Sequence, residues 1–181
     1  MLQTVHYVND PNTFDITIDN VIDVTCFNDS DGSIDFTFID RTPIPSDESG
    51  PFDYSIVDAQ NNIVSSGTTL NAGPMNVSSL PSATYTLTAS LTNTPFCSIS
   101  KNFTISRPVE ALSISENHTE ISCSNNFNDG LISASAYGGW PGGYEFQLES
   151  TTSGVLSPFS TASDFSGLLA GDYTVRVRDS K

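Results

Sequence analysis

The stretch Cys26–Ile34 reads CFNDSDGSI. A cysteine leads, polar and acidic side chains follow, and Asp31-Gly32 turns the chain into Ile34, Phe36 and Phe38, apolar at every second position. Asp-Gly suits a tight turn because both residues tolerate left-handed backbone. Strict alternation is the mark of a strand with one buried face. A second copy stands at Cys123–Ile132, CSNNFNDGLI, and it opens a second run of the same pattern. The duplication predicts tandem β-repeats.

Working outward from the first copy, Ile16, Ile18, Ile22, Val24 and Cys26 are apolar on even numbers. They predict a strand interrupted at Asn20. Asp40–Gly50 (DRTPIPSDESG) is a loop by its prolines and polar residues. Phe52, Tyr54 and Ile56 predict the next strand, Asn61-Asn62 a turn, and Val77 a short strand. Tyr85, Leu87, Ala89 and Leu91 alternate in LPSATYTLTASL. A turn over Thr92–Pro95 then leads to a final strand with Ile99, Phe103 and Ile105 on one face.

The pattern restarts after Arg107-Pro108. Leu112 and Ile114 match the first strand, and Ile132, Ala134 and Ala136 match the strand after the Asp-Gly turn. Tyr144, Phe146 and Leu148 match Phe52, Tyr54 and Ile56, and LLAGDYTVRV (Leu168–Val177) matches Leu80–Ala89. The expected fold is all-β: tandem Ig-like antiparallel β-sandwiches, with no helical periodicity. Residues 11–107 form repeat 1 and 108–181 repeat 2, which stops before its own last strand. Residues 1–10 read as the tail strand of a preceding repeat, because His6-Tyr7-Val8-Asn9-Asp10-Pro11 sits like Phe103-Thr104-Ile105-Ser106-Arg107-Pro108. Leu-x-x-Gly-x-Tyr at Leu168–Tyr173, and the same spacing with Ala83 at Leu80–Tyr85, have the form of a tyrosine corner. The plainer alternative makes Tyr85 and Tyr173 ordinary core aromatics.

Of the 181 residues, 21 are Asp or Glu and 6 are Lys or Arg, a net charge of -15. Such a surface repels phosphate backbones and anionic headgroups, so nucleic acid is excluded as a partner. No run approaches the roughly 20 apolar residues of a membrane helix, and no membrane insertion is expected. No signal peptide follows Met1, which predicts an excised segment of an extracellular protein. The three cysteines, Cys26, Cys97 and Cys123, are an odd number that suits such a segment.

Together the pieces resemble a known family. Cys-x-x-x-x-Asp-Gly-x-Ile, an aromatic-x-aromatic strand, and Leu-x-Ala-Gly-x-Tyr-Thr-Val resemble the SprB-type repeats of surface adhesins in gliding bacteria that use type IX secretion. Cys26–Ile34, Phe52–Ile56, Leu80–Thr88 and Phe96-Cys97 carry the likeness in repeat 1. Cys123–Ile132, Gly138–Phe146 and Leu168–Asp179 carry it in repeat 2. Ala83 in the Gly place, the enlarged Asp40–Gly50 loop and the extra residue before Asp129-Gly130 depart from the pattern. The resemblance implies a large multi-repeat protein on the bacterial surface, used as stalk or adhesin, with neighbouring repeats and surface polysaccharide as partners. It carries no catalytic residues.

The residues themselves offer little chemistry. His6 and His118 are the only histidines, and His118 reads as an exposed turn residue in a polar stretch. No triad, glycosidase pair, phosphate loop or zinc spacing is visible, so no enzyme and no resident cofactor are expected. Asn28, Asp29 and Asp31 could offer oxygen ligands to calcium. No glutamate closes that loop, and Phe127 replaces the Asp29 position in the second copy, so a polar turn explains more. Asn76, Asn102 and Asn117 stand in eukaryotic-type glycosylation sequences.

Spacing invites a Cys26–Cys97 disulfide, a link that contributes about 2–4 kcal/mol when formed. In an Ig-like sandwich these cysteines fall at opposite poles, however, and bridging needs Cα atoms closer than about 7 Å. A staple between neighbouring repeats is the alternative. The same geometry puts GGWPGG (Gly138–Gly143) near the repeat junction. Trp140, the single tryptophan, is then expected against the end of repeat 1 or the Arg107-Pro108 linker, or else within repeat 2. A rival function is a carbohydrate-binding module using Asp40–Gly50 and Thr92–Pro95, with only Phe52 and Phe96 nearby for sugar stacking.

Overall fold

The computed structural model describes residues 14–40, 50–92, 94–122 and 128–181, with only the backbone described at residue 40 and residues 94–97. All regular structure among them is β. Contacts divide the chain into two compact units. Unit 1 runs to Val24 and resumes over Asp29–Ser106; unit 2 is Thr25–Asn28 with Arg107–Lys181.

Unit 1 has seven strands: β1 (Phe14–Ile22), β2 (Gly32–Asp40), β3 (Phe52–Val57), β4 (Ile63–Thr69), β5 (Met75–Leu80), β6 (Ala83–Leu91) and β7 (Thr94–Ile105). They form two antiparallel sheets, ordered β1-β2-β5 and β4-β3-β6-β7. This is an Ig-like β-sandwich. Alternation drives it: Tyr85, Leu87, Ala89 and Leu91 are all at most 4% exposed, while the threonines between them face outward. Phe36 and Ile34 from one sheet and Ile56 and Leu87 from the other close a core. Phe38 stacks on Phe52 at 4.6 Å between centroids and 8° between planes. Strand β7 adds Phe103 and Ile105 to the core, and Lys101 pairs with Asp15 of β1 at 3.1 Å.

Unit 2 has six strands among the described residues: β8 (Ser113–Thr119), β9 (Gly130–Tyr137), β10 (Glu145–Ser150), β11 (Gly154–Ser160), β12 (Asp164–Leu168) and β13 (Tyr173–Arg178). Their sheets are β12-β9-β8 and β11-β10-β13. They repeat the order of β1–β6 with many equivalent pairs, although the bulge at Asp19 has no counterpart in β8, where Asn117 faces Ser133. Gly32 opposite Leu80 becomes Gly130 opposite Leu168, and Ile34 opposite Val77 becomes Ile132 opposite Phe165. Ile56 opposite Leu87 becomes Leu148 opposite Val175. Ile16 opposite Phe38 becomes Ile114 opposite Ala136. Among the described residues no strand takes the place of β7 beside β13.

Four sequence expectations need correction. The even-number pattern of the first strand ends at Ile18. A β-bulge there leaves Asp19 without an opposite residue, so Val21 packs on the core and Ile22 is 50% exposed. Val24 is buried beyond the strand, with its N–H on the Ser106 carbonyl, while Cys26 lies in an exposed bend. Strand β7 begins at Thr94, inside the expected Thr92–Pro95 turn, because Leu91 already pairs with Thr94. His118 lies in β8 opposite Ile132, exposed but in a strand, since an edge strand needs no apolar alternation.

Candidate functional site

The Cys26 turn, the two tyrosines and the Trp140 loop are the features singled out by sequence. Tyr85 donates its hydroxyl to the Pro81 carbonyl at 2.7 Å, and Tyr173 donates to the Leu169 carbonyl at 2.8 Å. Each bond spans the turn entering its strand, as a tyrosine corner does. Burial pushes the Tyr85 hydroxyl's pKa up, and the Asp58 carboxylate adds to the shift.

In the first turn, Asn28, Asp29 and Asp31 are all exposed. Among the described residues no three His, Cys, Asp or Glu side chains gather where a metal ion would be held. The second turn is described only from residue 128. There Asp129 accepts the Ser122 hydroxyl and backbone N–H. The hydroxyl bond chiefly, with the N–H, holds the Asp129 carboxyl below the usual carboxylate range against a small desolvation. Cys26 is exposed. Cys123 and the Cys97 side chain lie outside the described residues, as do the Asp40–Gly50 loop beyond its ends and residues 1–10.

The Trp140 loop is tightly held. Its backbone N–H donates to Asp179 Oδ2 at 2.7 Å and its indole N–H donates to the Thr25 carbonyl at 3.0 Å. The Lys181 ammonium sits 3.7 Å from the indole centroid, a cation–π contact. Gly138 has φ +75, and a Cβ there would collide with the Ala111 carbonyl, so glycine is required by both backbone and space. Tyr144 donates its hydroxyl to the Gly138 carbonyl at 2.7 Å. Arg107 lies 4.7 Å from the Phe27 ring centroid, while Pro108 is buried. Sequence reading missed Asp179 and the Thr25 carbonyl. A backbone acceptor leaves no trace in residue type, and Asp179 is one acid among many.

A feature not anticipated is a groove of about 620 Å³ in unit 2, lined by apolar and polar side chains together. Ile114, Leu131, Ile132, Leu168, Tyr173 and Val175 line it, between β8 and β13. Glu116, His118 and Glu120 line it as well. His118 Nδ1 is 3.3 Å from Glu116, with both side chains more than half exposed. That pair is a solvated contact of little energetic weight and offers no oriented base.

No family model matches the chain, and no curated protein matches it. Thirteen solved chains match. One is a two fibronectin type-III domain segment from chicken tenascin, 14% identical, with 88% of this chain and 90% of that chain covered and a TM-score of 0.31. The described residues contain no helix long and apolar enough to cross a membrane.

Proposed function

We propose that this chain is a structural and adhesive repeat segment of a large secreted cell-surface protein, a stalk or adhesin in surface attachment or gliding, of the SprB-repeat type. One observation carries the reading: two consecutive units repeat the same strand order with equivalent pairs across it, from Gly32–Leu80 and Gly130–Leu168 to Ile56–Leu87 and Leu148–Val175. Serial repetition of one sandwich is how a chain gains length without new folds. The strong negative charge supports a solvated life outside the cell. Neighbouring repeats are the first partners, surface polysaccharide a second, and no catalytic role is assigned.

The test is removal in frame of the coding stretch for residues 14–181 from the host gene, with antibody labelling of intact parent cells. The reading expects labelling of unbroken cells, and weaker attachment or slower gliding on deletion. Labelling only after lysis, or deletion that leaves attachment and gliding at parent values, contradicts it.

A further inference from the structure

The sheets of unit 1 end, among the described residues, at four edge strands: β1, β5, β4 and β7. Three of them are guarded. Strand β1 carries the bulge at Asp19, β5 a register shift with Ser79 at φ +63, and β7 the inward Lys101 held against Asp15. Bulges, kinks and charges are the devices that keep an edge from pairing with another chain. In unit 2 the counterpart of β4, strand β11, contains Pro158, which has no N–H to donate.

Strand β4 has none of these over most of its length. Its sequence, IVSSGTT, holds no charge and no proline. The register shift at its start skips Val64, and residues 65–69 then pair regularly with β3, from Ser65 opposite Ile56 to Thr69 opposite Phe52. The strand is also apolar and exposed at both ends. Ile63 and Val64 at its start are 66% and 40% exposed, and Leu70, next after its last residue, is 80% exposed. Val64 and Leu70 stand three residues to either side of Gly67. A second β4 reversed about Gly67 therefore sets Ser65 opposite Thr69 and brings the Ile63-Val64 end of each strand against Leu70 of the other. Charge points the same way. With a net charge of -15, two copies repel across most of their surfaces. A neutral strand lets them meet without like charges directly opposite each other. The one carboxylate of β3, Asp53, is taken up by the Thr68 hydroxyl.

We propose that β4 pairs antiparallel with β4 of a second copy of this chain about a two-fold axis at Gly67, joining the two four-stranded sheets into one continuous sheet. Main-chain hydrogen bonds along the open edge supply affinity, and the aliphatic ends supply register. The contact is isologous, since each copy offers the same strand, so assembly closes at the dimer. Two seven-residue strands make a small interface, so association is weak and depends on concentration. The inference goes beyond the proposed surface role and does not depend on it, because it is read with purified protein.

Sedimentation equilibrium of the full chain over a wide concentration range is the test, with Val64→Lys and Leu70→Asp as single variants. The average mass of the parent rises with concentration to twice the protomer mass and stops there. Each variant alone stays at the protomer mass, because its new charge meets an apolar end of the other copy. An equimolar mixture of the two variants returns toward twice the protomer mass. In that pair the introduced ammonium and carboxylate face each other at one end, and Val64 meets Leu70 at the other. Rescue on mixing separates a lost contact from a lost fold. A parent mass constant at the protomer value, or growth past the dimer, overturns the proposal. So does a variant that associates like the parent, or a mixture that stays at the protomer mass.

Discussion

The ring of Tyr85 lies stacked on that of Phe103, centroids 5.2 Å apart and planes 23° from parallel. This pair joins β6 to β7 and seals one side of the first sandwich. The Tyr85 hydroxyl, held by Pro81, fixes the ring for that stack. Tyr173 has the same hydroxyl anchor on Leu169 but remains half-buried. The same anchor therefore stands in a closed core in one unit and at an open groove in the other.

Truncation of the paired isoleucines measures that contrast. Ile16→Ala removes a fully buried side chain and lowers the stability of unit 1 by about 2–5 kcal/mol. Ile114→Ala, at a site 38% exposed, costs under about 1 kcal/mol. Denaturant midpoints of the two variants check this; equal losses would contradict the difference in burial.

Removing one hydroxyl at a time tests the tyrosine anchors. Tyr85→Phe lowers stability by about 1 kcal/mol, the net worth of one hydrogen bond. Tyr173→Phe lowers it by less, because water replaces the lost partner at an exposed site. Thermal unfolding reads both, and a larger loss at Tyr173 would speak against the open side of unit 2.

The bulge at Asp19 makes a prediction opposite to the even-number pattern. Val21→Thr puts a hydroxyl against the core, and Ile22→Thr puts one in solvent. The first lowers the unfolding free energy by about 1–2 kcal/mol, the second by under about 0.5 kcal/mol, as denaturant titration reads. The reverse order would place Ile22 inside and remove the bulge.

Much of the fold was legible because buried strands must alternate: β2, β3, β6, β9 and β10 announce themselves through Phe36, Tyr54, Leu87, Ala134 and Leu148. Strands β4 and β11 were not. IVSSGTT and GVLSPFS lie at sheet edges, and Ile63 and Val155 are 66% and 53% exposed. An edge strand is held by its ladder and needs no apolar face, so nothing in its residues signals it. The bulge hid similarly, since one extra residue exchanges the faces of Val21 and Ile22 without altering composition. Tyr85 and Tyr173 could be picked out by spacing from the turn. The groove could not, because it is lined from several separate stretches, residues 114–121, 130–132 and 168–175, that only the fold brings together.

Acid sensitivity follows from Asp58, in the β3–β4 hairpin. Its carboxylate accepts the Asn62 side-chain amide, the Asn62 N–H and the Gln60 N–H, each at 2.9 Å. These bonds, the Asn62 side chain foremost, hold its pKa below the ordinary 3.8 against a small desolvation. A lowered folded value means the charged form favours folding. The contribution is complete above the unfolded pKa and is lost as pH falls through the folded one. Asp58→Ala is therefore less stable than the parent at neutral pH, and the difference narrows below about pH 4. A difference independent of pH would contradict the assignment.

Amide hydrogen exchange of the full chain tests the contrast between β6 and β13 most directly. An edge strand leaves alternate N–H groups without a ladder partner, and a central strand does not. Alternate amides of Tyr173–Arg178 should exchange at least about tenfold faster than those of Ala83–Leu91. Protection across Tyr173–Arg178 equal to that of Ala83–Leu91 would contradict the account.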